Sequence, residues 1–182
     1  MYKNITVFCG SKAGNNSLFV QHAHELGCLL AKHSINLIYG GGKVGIMGVI
    51  ADATLNNGGH VTGIIPEVLL AWEQQHTGIN DLRVVTDMHV RKKLLYELCD
   101  AVIILPGGNG TLDELFETIT WNTLKIHEKK IFIINSAGFF NHLFAHLDNM
   151  KAEGFLYEDW RKRITVLNTP EELISFFYAD KN

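Results

Sequence analysis

The chain has 182 residues, 47% of them hydrophobic and 19% charged, with a net charge of −3 and a pI near 6.3. That balance is too apolar for a disordered chain and fits one globular domain, residues 1–182, with room for a real core. No basic run offers a footprint for nucleic acid or an anionic membrane, and no apolar run approaches the ~20 residues of a membrane-crossing helix, so neither partner is expected.

Cys9, Cys28 and Cys99 are odd in number, far apart and without CxxC spacing, which predicts a reduced, cytoplasmic setting without disulfides. The chain opens Met-Tyr-Lys-Asn and passes straight into a strand, so no signal peptide is expected. Ile5-Thr-Val-Phe-Cys9 is that strand. Gly10-Ser-Lys-Ala-Gly14 is a turn, and Asn16 or Ser17 caps a helix reaching about residue 33. Phe19, Ala23, Leu26, Leu29 and Leu30 give that helix its apolar stripe. Gly10 and Ser11 fit a plain tight turn, and equally a ligand loop at the carboxyl end of the first strand.

Asn36-Leu-Ile-Tyr39 is the second strand; Gly40-Gly-Gly42 and Gly45 then precede a helix over 46–57. Three successive glycines cost backbone entropy. They mark either a tight strand-to-helix turn or a second close backbone approach of the run to a ligand, with Gly41 and Gly42 as the expected contacts. The third strand covers 60–65 and ends at Pro66. Residues 66–80, with Trp72, Glu73 and His76, are the least periodic stretch. Leu82-Arg-Val-Val-Thr86 is the fourth strand, and the helix after it runs to about residue 99. Val90, Leu94 and Leu98 share one of its faces; Arg91 and Lys92, taken alone, read as a solvated basic face.

Ala101-Val-Ile-Ile-Leu105 is a strand covered on both sides, since five successive residues are apolar. Pro106-Gly-Gly-Asn-Gly-Thr111 follows, then a helix to about residue 124. Gly107, Gly108 and Gly110 are expected to take backbone angles closed to other residues and to clear space for a ligand, with Asn109 between them. Thr111 is expected to cap the helix. The amides of 107–111 would then face an anion, which the helix dipole favours. Thr111-x-x-Glu114 also fits a capping box, in which Glu114 only returns a hydrogen bond. The spacing matches neither the dinucleotide loop nor the P-loop.

Lys130-Ile-Phe-Ile-Ile134 is the sixth strand, 139–153 a helix and Ile164-Thr-Val-Leu167 the last strand. Thr169-Pro-Glu-Glu172 opens the last helix as a capping box. His142 and His146 lie one turn apart without a third ligand, so no metal is expected. The alternation predicts an α/β, Rossmann-like, doubly wound, mostly parallel sheet with helices on both faces. Loops 10–11, 40–42 and 106–111 then share one sheet edge.

Pro106-Gly-Gly-Asn-Gly-Thr-Leu-Asp-Glu114 resembles the P-G-G-x-G-T-x-x-E motif of the LOG (Lonely guy) family. Cys9-Gly-Ser11, Tyr39-Gly-Gly-Gly42, Gly45-Ile-Met-Gly48, Gly63-Ile-Ile-Pro66, Met88-His-Val-Arg-Lys92 and Thr120-Trp121 extend the likeness from about residue 8 to 172. Those proteins are cytokinin riboside 5′-monophosphate phosphoribohydrolases, often mislabelled lysine decarboxylases. The resemblance implies a nucleoside monophosphate substrate, no cofactor and a homodimer. It implies catalysis by Arg91 and Glu114, with substrate contacts at Glu73, Lys92 and Thr120. The phosphate would sit on residues 107–111, with Asp113 beside it. Asp113 stands where the family often has Glu, and Val90 where it often has Glu or Gln. Two alternatives are a non-catalytic nucleotide binder and a molybdenum-cofactor binder of the same fold. Lysine decarboxylase is set aside, because the chain is short and nothing marks a Schiff-base lysine.

Overall fold

The computed structural model describes residues 2–70 and 74–177. Seven strands form one parallel sheet: β1 (Asn4–Phe8), β2 (Asn36–Tyr39), β3 (Val61–Pro66), β4 (Asp81–Val85), β5 (Ala101–Ile104), β6 (Lys130–Ile134) and β7 (Ile164–Leu167). Their order across the sheet is β4-β3-β2-β1-β5-β6-β7, and every neighbouring pair is parallel. The helices are α1 (Ser17–Lys32), α2 (Gly45–Asn56), α3 (Met88–Glu97), α4 (Asn109–Thr123), α5 (Asn141–Ala152) and the single turn α6 (Ile174–Phe177). The Rossmann-like α/β reading holds, and the sheet is wholly parallel among the described residues.

Period-two alternation sorts each central strand between two cores. Ile5 and Val7, Leu37 and Tyr39, and Ala101 and Ile103 face a cluster closed by Leu26 and Leu30 of α1 and Ile50 of α2. Phe8, Ile38, Val102 and Ile104 face the other cluster, closed by Leu95 and Tyr96 of α3, Leu115 of α4 and Leu147 of α5. The helix bearing Arg91 and the helix bearing Glu114 therefore pack on the same side of the sheet.

Local chemistry sets the helix starts. Asn16 caps α1, its side chain accepting from Leu18 N–H at 2.9 Å. Asp87 caps α3, accepting from the amides of His89 at 2.8 Å and Val90 at 3.0 Å. Two expectations fail near the carboxyl end. The helix foreseen from residue 139 starts at Asn141, after a short 3-10 turn with Ala137 at φ 52°. Thr169 makes no capping bond, and residues 170–173 form a 3-10 turn. Glu172 accepts instead from Asn168 N–H at 3.3 Å, so the foreseen box is displaced.

Candidate active site

The loops leaving β1, β2 and β5 meet at the carboxyl edge of the sheet, where strand order reverses between β1 and β5. Parallel sheets bind ligands at such a switch point. A cavity of about 200 Å³ opens there. Its walls come from Cys9 to Ser11 after β1, Gly40 after β2, Met47 on α2, Arg91 on α3, and Gly108 to Thr111 with Glu114 on α4.

Gly10 ties the loops together. Its N–H donates to the Pro106 carbonyl at 3.0 Å, and its carbonyl accepts from Ile46 at 3.1 Å and Met47 at 3.3 Å. Both backbone groups are engaged by protein, so Gly10 shapes the wall. Ser11, beside it, is exposed at the rim.

The glycine-rich loop works differently from the sequence expectation. Helix α4 begins at Asn109 with Gly108 as its N-cap, and no side chain caps it. Thr111 is therefore inside the first turn and buried, and neither the threonine cap nor the Thr111–Glu114 capping box forms. Gly107, Gly108 and Gly110 are absent from the positive-φ glycines, so their value lies in clearance. A Cβ on Gly107 would meet Thr111 Oγ1 at 2.1 Å, whereas Gly108 and Gly110 have nothing within 4 Å of a built Cβ. The result is an uncapped helix start: the amides of Asn109, Gly110 and Thr111 lack intrahelical acceptors and border open space, an arrangement suited to a phosphate.

Arg91 and Glu114 meet at the inner end. Arg91 is 6% exposed and Glu114 8%. Arg91 Nη1 lies 3.9 Å from Glu114 Oε1, and Arg91 Nε donates to the Ile64 carbonyl at 3.1 Å. At that burial the attraction is far stronger than at a wet surface. The backbone under Glu114 is also held. Its carbonyl accepts from Thr118 Oγ1 at 2.7 Å and from Tyr96 Oη at 3.0 Å. Burial pushes the Tyr96 hydroxyl pKa strongly upward, which keeps it a donor.

Lys92 points elsewhere. Its Nζ lies 2.7 Å from Asp113 Oδ2 and 3.4 Å from Glu117 Oε1. Burial opposes the charge, but the hydrogen bond to Asp113 and the Glu117 carboxylate outweigh it, and the pKa is raised. Asp113 is largely exposed and serves this pair. Gly41 and Gly42 do not line the cavity. Gly41, at φ +81°, packs on Ile64, Ile65 and Leu82, and Gly42 pairs with Gln75. Gly40 reaches the site instead: a Cβ there would lie 2.3 Å from Arg91 Nη2. Thr120, six residues past Glu114, is rotated by roughly 240° around the helix. It is exposed and lines a separate apolar groove with Phe116, Met150 and Phe155. Glu73 lies outside the described residues. Gly40 belongs to the glycine run that the sequence places at this edge, though Gly41 and Gly42 were the contacts expected there; sequence reasoning missed Glu117 and Tyr96. A tyrosine on a helix, or an acid one turn from another, carries no signal until α3 is placed against α4.

Because Asp87 starts the helix that carries Arg91, acid should loosen this side of the site. The Val90 amide, with Thr86 and His89 assisting, holds the Asp87 carboxyl below the ordinary aspartate range despite the opposing cost of desolvation. A depressed pKa means the stabilisation is complete above about pH 3.9 and is lost as pH falls through the folded value. An NMR titration of Asp87 is expected to give a midpoint below that of a model peptide. Asp87→Asn, which still caps, should remove the titration while keeping α3 intact.

The fold and site together define a Rossmann-like protein with an uncapped helix start beside a buried Arg–Glu pair. A family model described as "Possible lysine decarboxylase" matches residues 47–177. The cytokinin riboside 5′-monophosphate phosphoribohydrolase LOG1 of Arabidopsis thaliana is 42% identical over 173 residues, 95% of this chain and 81% of that one. A cytokinin riboside 5′-monophosphate phosphoribohydrolase of Rhodococcoides fascians is 41% identical over 174 residues, 95% and 88% of the two chains. The chain belongs to this family, the LOG family. Among solved structures, the molybdenum cofactor binding protein of Rippkaea orientalis superposes with a TM-score of 0.73 at 22% identity, covering 98% of this chain and 97% of that one. At that identity the likeness concerns the fold.

Proposed function

We propose that the protein is a nucleoside 5′-monophosphate phosphoribohydrolase, acting on cytokinin riboside 5′-monophosphate or AMP. It hydrolyses the N-glycosidic bond and releases the free base and ribose 5-phosphate. The observation that carries this reading is one cavity holding both the uncapped start of α4 and the Arg91–Glu114 pair. The phosphate is bound by the amides of residues 109–111. That anchors the ribose with its anomeric carbon toward Glu114. As the C1′–N bond breaks, its electron pair leaves with the base and positive charge grows on the ribose. The Glu114 carboxylate stabilises that charge and takes a proton from the attacking water, whose oxygen bonds to C1′. The base gains one proton in the overall balance. Arg91 orients Glu114.

Lys92 does not fit a decarboxylase. A Schiff-base lysine reacts as a neutral amine with a lowered pKa, whereas Asp113 and Glu117 hold Lys92 as an ammonium. The substrate contacts at Ser11, Glu73, Lys92, Asp113 and Thr120 remain proposals. Thr120, turned from the cavity, would reach a substrate only in a partner's site. That fits the homodimer we propose, and light scattering at the mass of two chains is the expected result. Among the described residues no helix is long and apolar enough to cross a membrane; a cytoplasmic location, with no nucleic-acid partner, is our reading.

The test is chromatographic. AMP, N6-isopentenyl-AMP and adenosine are each incubated with the protein. Base release from the monophosphates and none from adenosine is expected, because adenosine lacks the group the helix start holds. Faster release from the prenylated substrate assigns a cytokinin-activating role, and equal or faster release from AMP a salvage role.

A further inference from the structure

We propose that Asp52 and His76 form a clamp that positions the β2 loop and the segment after Glu73, making His76 a positioning residue for the reaction proposed above, on which this inference rests. His76 is 4% exposed. Its Nε2 lies 2.9 Å from Asp52 Oδ1, and its Nδ1 accepts from Gly78 N–H at 3.2 Å. The ring proton is therefore on Nε2 and is donated to Asp52. Asp52 sits on α2, with its side chain 55% exposed.

The clamp holds a short ribbon in place. His76 N–H donates to the Gly41 carbonyl at 2.9 Å, Gln75 pairs antiparallel with Gly42, and Lys43 N–H donates to the Gln74 carbonyl at 2.9 Å. Residues 74–76 belong to no strand of the main sheet. Gln74 adopts φ +45°, a left-handed conformation that costs a non-glycine residue energy and persists only where its surroundings enforce it. Gly41 and Gly42 are the residues that receive this ribbon, and Gly40 beside them is the surface against which the Arg91 guanidinium rests. Meanwhile Ile46 and Met47, at the start of α2, hold Gly10, and Met47 lines the cavity. Helix α2 thus grips the cavity wall at its first turn and, through Asp52, the back of the β2 loop two turns on. In sequence, the ribbon begins directly after Glu73, the residue expected to contact substrate. A buried histidine with both ring nitrogens engaged fixes residues 74–76 and the Gly41–Lys43 turn they pair with.

Asp52 is exposed enough to replace without opening the core. Asp52→Ala removes the acceptor; Asp52→Asn keeps an oxygen for the Nε2 proton. Losing a hydrogen bond to a charged group predicts a KM for AMP about tenfold higher in Asp52→Ala. Its kcat should stay within about twofold and its melting temperature near that of the wild type, and Asp52→Asn should restore KM. A wild-type KM in Asp52→Ala, a lowered melting temperature with unchanged KM, or no rescue by Asp52→Asn would each overturn the clamp. Failure of the hydrolase reading shows separately, as absence of turnover in the wild type. In that case amide exchange at residues 74–76 decides: faster exchange in Asp52→Ala with the sheet amides unchanged supports the clamp, and unchanged exchange refutes it.

Discussion

Glu114→Gln is expected to leave the protein folded and still able to bind a nucleoside monophosphate while lowering turnover about a thousandfold. The substitution preserves shape and both hydrogen bonds to the Glu114 carbonyl, because those are made to the main chain by Thr118 and Tyr96. It removes only the carboxylate, which no neighbour replaces. Asp113 and Glu117, on the same helix, are engaged with Lys92, and Asp113 faces solvent. In the proposed site the phosphate sits at the uncapped start of α4, a turn earlier, so its binding is not expected to depend on the charge of Glu114. The effect should therefore fall on kcat, with the dissociation constant for AMP altered little. Calorimetric binding alongside steady-state rates checks it; a Glu114→Gln protein with wild-type kcat would remove Glu114 from the chemistry.

Gly40→Ala is expected to lower kcat/KM about a hundredfold through Arg91 alone. Gly40 is not among the positive-φ glycines, so its backbone accepts alanine without strain. The conflict is with side chains: the new methyl would lie 2.3 Å from Arg91 Nη2 and 3.2 Å from Met47 Sδ. Arg91 cannot withdraw freely, because its Nε is tied to the Ile64 carbonyl and its head faces Glu114. The guanidinium must rotate or shift, and a displacement of about an ångström is what orientation-dependent catalysis does not tolerate. A thermal melt and rate measurements on the purified variant check this. Near-native melting with a crippled rate is the predicted pair, and a native rate would show that Arg91 is not held where the structure places it.

The strands and most helix limits were legible because their signals are local. Five apolar residues before Pro106 read as a doubly covered strand, and Asn16 stands at a helix start with a side chain able to cap. The start of α4 was misread by the same logic. Thr111 and Glu114 have the spacing of a capping box, yet the helix begins three residues earlier, because Gly108 rather than Thr111 takes the cap position and leaves its amides open. A local rule failed where a helix start is kept free, as functional sites often require. The glycines show the limit most clearly. Their residue type announces a need for space or for unusual backbone angles, and only the packing says which. Gly41 supplies an angle, Gly40 makes room for Arg91, and Gly108 and Gly110 leave room for a ligand. The 3.9 Å approach of Arg91 to Glu114 joins two helices whose residues are 23 apart in sequence, a contact that no spacing rule within either helix contains.

The measurement that tests the central claim most directly is product stoichiometry. Wild-type protein is mixed with N6-isopentenyl-AMP in phosphate-free buffer, and the products are resolved over time. Free base and ribose 5-phosphate appearing in equal amounts, with Glu114→Gln releasing both about a thousandfold more slowly, is the result predicted here. Release of inorganic phosphate and nucleoside, or ligand recovered intact after confirmed binding, would contradict it.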